Sequence, residues 1–214
     1  MRFCFLCPEN GDFPVKYDRN NPNQSRNLSK GAQIMIKKDE IRTPWVLCNG
    51  LKMEMRREDR EVTTIKEIEK IILQCKTCHV AMVNEKIPYV VPLSYGYKIL
   101  DGNMLELYFH SALEGKKIDI LRKSNKVCFE MSYEGEAVYT DNPCNSGYYF
   151  ASVIGFGDAV FIDDADKKCE ALSIMFKHQS GKEVVFTVSQ VENICVFKII
   201  STDFMGKRKP KSNI

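Results

Sequence analysis

Between His79 and His110 the chain carries three strand-like runs whose connections are too short for anything but hairpins. His79 to Asn84 is short and largely apolar. Ile87 to Ile99 is rich in Tyr, Val and Pro. Met104 to His110 alternates, with Leu105, Leu107 and Phe109 on one face. A parallel pair would need a crossover of roughly a dozen residues or more, so these strands pair antiparallel. Asp101-Gly102-Asn103 is a hairpin turn signal between the second and the third. Pro88 and Pro92 lack the amide that a ladder uses, which predicts an edge or an interruption in the second run.

Helical patterns frame these strands. Thr64-Ile65-Lys66-Glu67 has the form of a capping box, and Ile65, Ile68, Ile71, Ile72 and Cys75 recur at helical spacing, predicting a helix over 64–76. A second, over 115–123, places Ile118 and Leu121 on one side. Alternation returns over 126–134 at Val127, Phe129 and Met131, and a polar loop, 135–147, leads into the longest strand, 148–162. Asp163-Asp164 opens a third helix, 164–178, with acid at the positive end of its dipole and Lys177, His178 and Gly181 at its close. Residues 195–204 form the last strand. The order α-β-β-β-α-β-β-α-β predicts a mainly β fold with flanking helices (α+β), a six-stranded antiparallel barrel, closed or half-closed, rather than a doubly wound sheet. Gly155-Phe156-Gly157 sits in mid-strand without a third Gly at the right spacing. It reads as a bulge or a close backbone approach, not as a dinucleotide turn.

Residues 1–52 show no sustained period and contain the run Asn20-Asn21-Pro22-Asn23-Gln24-Ser25, so a poorly ordered N-terminal arm is expected. Met53 and Met55 stand just before the patterned body, 53–205, and the arm is read as an artefact of the assigned start. An intact native mass below the full 24.6 kDa is the result expected of that reading. The arm carries +4, the body −5 and a basic C-terminal tail, 206–214, +4. An acidic body is a poor surface for duplex DNA, so no nucleic-acid partner is expected.

With 44% hydrophobic and 28% charged residues the composition is that of a globular protein, which excludes a disordered chain or a fibre. The longest apolar run, Tyr148 to Ile162, is 15 residues and contains Asp158, short of the about 20 that a spanning helix needs, so no membrane partner is expected. The apolar stretch near Met1 is too short for a signal peptide, and a cytoplasmic chain with mostly reduced thiols follows. Cys4-Phe5-Leu6-Cys7 and Cys75-Lys76-Thr77-Cys78 would together make a tetrahedral thiolate site. Cys75, however, lies on the apolar face of its helix, so buried, idle thiols and no metal are expected.

The chemistry concentrates in Leu107 to Leu121. A strand ends in His110 and Ser111, and then Gly115, Lys116 and Lys117 open a helix. Helix-start amides favour an anion, two ammonium groups add full charge, and a serine hydroxyl donates once more. Those residue types at that spacing suit a phosphate monoester. The alternative is an ordinary solvated helix start that carries lysine. Of the other histidines, His79 at a strand start and His178 at a helix end read as structural.

Taken in order, several segments resemble the flavin-binding split-barrel superfamily that includes pyridoxamine 5′-phosphate oxidase, and within it the nitroimidazole-resistance type. They are Met55-Arg56-Arg57-Glu58-Asp59-Arg60-Glu61, Pro88-Tyr89-Val90-Val91-Pro92-Leu93, Leu107 to Ala112 with Glu114-Gly115-Lys116-Lys117, Val127-Cys128-Phe129-Glu130-Met131, Ser152-Val153-Ile154-Gly155-Phe156-Gly157 and Lys177-His178-Gln179-Ser180-Gly181. The resemblance implies a split β-barrel of the FMN-binding type and a homodimer with one FMN in each of two clefts between subunits. It implies that Val90, Val91, Pro92, Leu93 and Ser94 lie along the isoalloxazine ring. His110 and Ser111 would hydrogen-bond the cofactor, Lys116 and Lys117 would clamp its phosphate, and Ser152 would approach from the partner subunit. The vitamin oxidase uses a Trp and an Arg near its C-terminus for its substrate phosphate. Here the only Trp is Trp45, in the arm, so vitamin B6 oxidation is not expected.

The function so implied is an FMN-dependent oxidoreductase that passes electrons from reduced flavin to a small organic acceptor such as a 5-nitroimidazole. NADH or NADPH would be the donor, and His110 the side chain for proton exchange. The alternatives are a non-catalytic flavin-binding module, or the same barrel holding haem or a deazaflavin. No basic pocket beyond Lys116 and Lys117 is visible in the sequence for a longer, more charged tail.

Overall fold

The computed structural model of this protein describes residues 55–101 and 103–209; the arm, with Cys4, Cys7 and Trp45, lies outside the described residues. A 3-10 turn, Glu58–Arg60, leads into the two-residue strand β1 (Glu61–Val62) and then α1 (Ile65–Gln74). Thr64 caps α1, its Oγ1 accepting from Glu67 N at 3.4 Å. Only this half of the predicted capping box is made. The Glu67 carboxylate is drawn off by Lys70 at 2.5 Å and by Arg208 at 2.9 Å. Ile68, Ile71 and Ile72 turn inward, as the helical spacing requires.

The strands are β2 (Thr77–Asn84), β3 (Ile87–Ser94), β4 (Gly96–Leu100), β5 (Met104–Ser111), β6 (Lys126–Val138), β7 (Gly147–Ile162) and β8 (Cys195–Lys209). All pairings are antiparallel, in the order β3-β2-β6-β7-β8-β5-β4, with β1 added on β8. The sheet therefore has eight strands rather than the six expected. One extra strand is β1. The other arises because the run read as a single strand over 87–99 breaks at Tyr95. Residues 206–209, read as the start of a basic tail, are the last four of β8.

The break at Tyr95 makes the barrel. β3 and β4 are separated by one residue in sequence but stand at the two ends of the strand order. The sheet must therefore wrap until its edges meet at that residue, closing at the Tyr95 bend and staying split elsewhere. Tyr95 is fully buried, and its hydroxyl donates to Ile72 O at 2.8 Å and lies 3.1 Å from Cys75 O, at the end of α1. The Gly155-x-Gly157 pair is a close approach with a bulge, as read from sequence. A Cβ on Gly155 would strike Phe129 and Phe204, and the β7–β8 register shifts between Phe156 and Asp158.

Leu105, Leu107, Phe109, Phe129, Met131, Val153, Phe197 and Ile199 fill the barrel. A second cluster, on the outer face, packs Tyr108 and Val196 under α3 (Ala165–Ser180), with Val191 from α4 (Val188–Val191), a short helix absent from the sequence reading. Asp164 caps α3, its Oδ1 accepting from Lys167 N at 2.9 Å. Burial, with the charge of Glu130, pushes the Cys75 thiol up to about 11 and raises Cys78 as well, so both are idle at neutral pH. Among the described residues no three His, Cys, Asp or Glu are grouped to hold a metal, and no helix is long and apolar enough to cross a membrane.

The far end of α3 pins the Tyr95 bend. Gln179 donates to Tyr95 O at 2.7 Å and Lys76 O at 3.1 Å. His178 Nε2 lies 2.9 Å from Cys75 O; a carbonyl only accepts, so Nε2 carries the proton, and Nδ1 is left buried without a partner. Burial depresses the His178 pKa, the bond to Cys75 O opposes this, and the nearby Lys76 charge adds to the depression. The folded-state value thus lies below the unfolded value near 6.5, and protonation favours unfolding. Stability held by neutral His178 is whole above about pH 6.5 and drains as pH falls beneath it, by up to about 1.4 kcal/mol per pH unit, until the folded-state pKa is passed. Urea midpoints taken between about pH 7.5 and 5.5 should fall in wild type and fall less in His178→Gln; equal slopes would remove His178 as the cause.

Candidate cofactor site

Five of the predicted residues lie on β3. As an edge strand, β3 has β2 as its ladder partner, so part of its backbone donors and acceptors face outward. Side chains alternate. Val91 and Leu93 turn in against the barrel core, while Val90, Pro92 and Ser94 point out, Val90 at 54% exposure. What β3 offers a planar ligand is an apolar face and a row of main-chain groups rather than side-chain chemistry.

At the end of β5, His110 and Ser111 are successive strand residues and point to opposite faces. The sequence reading made them a pair; the pleat separates them. His110 is exposed and paired with Val196, on the face of Tyr108. Ser111 is paired with Cys195, on the inner face of Phe109, and is 8% exposed. Its hydroxyl makes no hydrogen bond to any described residue.

Next comes α2 (Lys116–Lys123), which carries the chain back across the split to lie against β2. Gly115 precedes it with φ +135°, a conformation that L side chains rarely adopt, and no side chain caps the helix amides. The ammonium of Lys116 stands 4.7 Å from the centroid of the Tyr89 ring on β3, a cation–π contact. Lys117 is half-buried, and its charge acts on the Cys195 thiol of β8. The helix start and β3 are therefore gathered at one corner, with Ser111 five positions before Lys116 in the chain. Ser152 is not. It lies half-buried in β7 between Ser132 and Lys207, three strands from β3 along the sheet.

Two concavities lie outside this corner. A groove of about 480 Å³ runs along β4, β5 and β8 beneath the start of α3. On its floor Glu106, 6% exposed, accepts from Tyr108 OH and from Lys198 Nζ at 2.5 Å. Burial pushes the Glu106 carboxyl up, but these two donors outweigh it and hold the carboxyl below its usual range. A smaller pocket of about 220 Å³ is lined by Arg122 and Lys168. The sequence showed no basic pocket beyond Lys116 and Lys117; the fold builds one. Its residues went unread because Arg122 meets its partner Phe161 only through tertiary packing, 5.8 Å from guanidinium to ring centroid.

The pyridoxamine 5′-phosphate oxidase family profile matches residues 64–207, from the cap of α1 to near the end of β8. The chain belongs to that family. A solved structure of a candidate 5-nitroimidazole antibiotic resistance protein from Bacteroides thetaiotaomicron is 32% identical, with a TM-score of 0.60 over 69% of this chain and 86% of that one. The flavocytochrome Anf3 from Azotobacter vinelandii has the same TM-score at 18% identity, over 74% of this chain and 73% of its own. An FAD-binding protein from Mesorhizobium loti is 24% identical, with a TM-score of 0.50 over 69% of this chain and 96% of its own. These last two share the fold. No curated protein matches the chain.

Proposed function

We propose that this family member binds FMN at the corner formed by β3, Ser111 and the start of α2, and passes electrons from the reduced flavin to a small organic acceptor. A nitroaromatic of the 5-nitroimidazole kind is the acceptor favoured by the likeness to the Bacteroides protein. NADH or NADPH is the donor, and the working form is a cytoplasmic homodimer with one FMN in each of two clefts between the subunits.

The contact of Lys116 with Tyr89 carries this reading. It brings the basic helix start onto the strand that would line the ring, although 27 positions separate them in sequence. The residues fit a phosphate dianion: uncapped amides, two ammonium groups and a nearly buried hydroxyl without a partner. Lys116, Lys117 and Ser111 hold the phosphate. β3 presents main-chain groups to the polar edge of the ring, and Val90 and Pro92 shield it from water. A bound flavin supplies the redox chemistry itself. His110, exposed near the end of β5, gives a hydrogen bond at the cofactor or exchanges a proton with the acceptor. Ser152 serves the cleft of the other subunit, consistent with its distance from β3 along its own sheet. The family name does not bring the vitamin substrate with it, because the only Trp, Trp45, lies in the arm and none stands near the C-terminal segment for that substrate's phosphate clamp.

The visible spectrum of the purified protein tests this. The two bands of an oxidised flavin are expected, bleached by anaerobic NADH or NADPH and restored by a nitroimidazole. Flavin bands that bleach only slowly would make the protein a carrier. A Soret band would make it a haem protein, and a colourless protein that takes up no FMN would end the proposal.

A further inference from the structure

We propose that the pocket between α2, the end of β7 and the start of β8 is an anion subsite that seats a nucleotide phosphate beside the flavin corner. The proposal rests on the flavin reading only for the identity of that neighbour.

The pocket's charge is unspent. Arg122 lies over the Phe161 ring and makes no ion pair among the described residues, so its planar fork of donors is held in place and open. Lys168 uses one donor on Ile194 O at 3.1 Å, leaving two. Asp163 is the one carboxylate among the residues lining the pocket. Burial raises the Cys195 thiol pKa, and Arg122, Lys168 and Lys117 oppose that shift while Asp163 adds to it. Arg122 and Lys168 against the single Asp163 leave the pocket lining net positive. Cys195 is the ladder partner of Ser111, so the pocket begins one strand from the proposed flavin phosphate.

Size and continuity narrow the ligand. About 220 Å³ is small against the roughly 300–1,000 Å³ of whole-ligand pockets, and suits a phosphate with part of its sugar. Phe161, Ile162 and Asp163 also line the 480 Å³ groove, so the two spaces adjoin along that wall. In the groove Lys198 is bound to Glu106 and Lys98 to Glu170, both at 2.5 Å, while Leu100 and Val160 present exposed apolar surface. Free positive charge in the pocket, beside the exposed apolar surface of Leu100 and Val160 in the groove, would suit a nucleotide laid phosphate-first. That phosphate belongs either to the adenylate half of FAD or to a separate nucleotide, and both present the same group.

Calorimetric titration of the flavin-free full chain with FMN, FAD and ADP separates these sources. Wild type is compared with Arg122→Gln/Lys168→Met. Lys168→Met alone, which keeps the aliphatic stem, is used if the double variant melts early. Losing a charge-assisted contact should weaken FAD or ADP by about tenfold or more, with FMN changed by less than about twofold. A loss confined to FAD assigns the pocket to the flavin's own tail; a loss for ADP assigns it to a separate nucleotide. If FAD and ADP bind wild type and variant alike, or FAD binds wild type no better than FMN and ADP does not bind, the inference is overturned. If FMN fails to bind wild type while the ADP loss persists, the flavin reading falls and the anion subsite stands.

Discussion

Replacing both Lys116 and Lys117 by Ala should yield a protein that purifies without flavin. Each removes a charge from the corner proposed to hold the phosphate, and a hydrogen bond to a charged group is worth about 1.5–3 kcal/mol. Two lost together weaken binding by about 10²–10⁴-fold. The single changes should differ. Lys116 also ties α2 to β3 through Tyr89, so Lys116→Ala loosens the corner as well as discharging it, and Lys116→Arg, which keeps both the charge and the ring contact, should recover most of the binding. Lys117 has no such second contact with β3, and its loss should be purely electrostatic, growing weaker as salt is raised. The measurement is the ratio of flavin to protein absorbance after purification, followed by titration with FMN. Full occupancy in the double variant would move the phosphate elsewhere in the protein.

Gly96→Ala should strongly destabilise the body. A Cβ there would sit 2.6 Å from both the N and the Cα of Met175 and 2.8 Å from Ile174 C. These are backbone atoms of α3, so no rotamer change relieves the clash. Either α3 lifts from the sheet or the bend that follows Tyr95 opens. Overpacking of this kind costs about 1–3 kcal/mol, and the backbone target places it at the upper end, about 3 kcal/mol. For a body of this size that lowers the melting temperature by about 6–12 °C. The same shift misplaces β3, so flavin affinity should fall along with stability. A variant with unchanged melting and unchanged flavin content would show that α3 is not seated against the bend.

How far the sequence disclosed this arrangement depends on the range over which each signal acts. Alternation at Leu105, Leu107 and Phe109 placed the barrel face, and Asp163-Asp164 and Gly181 bounded α3 to within a few residues, because period and caps are local. The break at Tyr95 was hidden, since Tyr and Gly within a run of strand formers give no local reason to stop; the reason is α3, whose Gln179 and Met175 come from far along the chain. The two lysines at the start of α2 were plain, but not that Lys116 meets the Tyr89 ring, a contact that exists only once the helix is docked. His110 and Ser111 could have been assigned to opposite faces from the period of two alone. The basic pocket was out of reach, because Arg122, Phe161 and Lys168 carry no common spacing.

The place of β8 in the sheet has a consequence for biosynthesis. It is inserted between β7 on one side and β5 on the other, and it is the last strand in order among the described residues. A ribosome that has not yet released residue 209 therefore holds two ribbons joined only through Tyr95 and α2, one running from β3 to β7 and the other a β4–β5 hairpin, each with a bare flank. The nascent polypeptide must wait for residues 195–209 before those flanks can be sealed. Truncations that remove β8 should accumulate as insoluble, chaperone-bound material rather than as a smaller native protein.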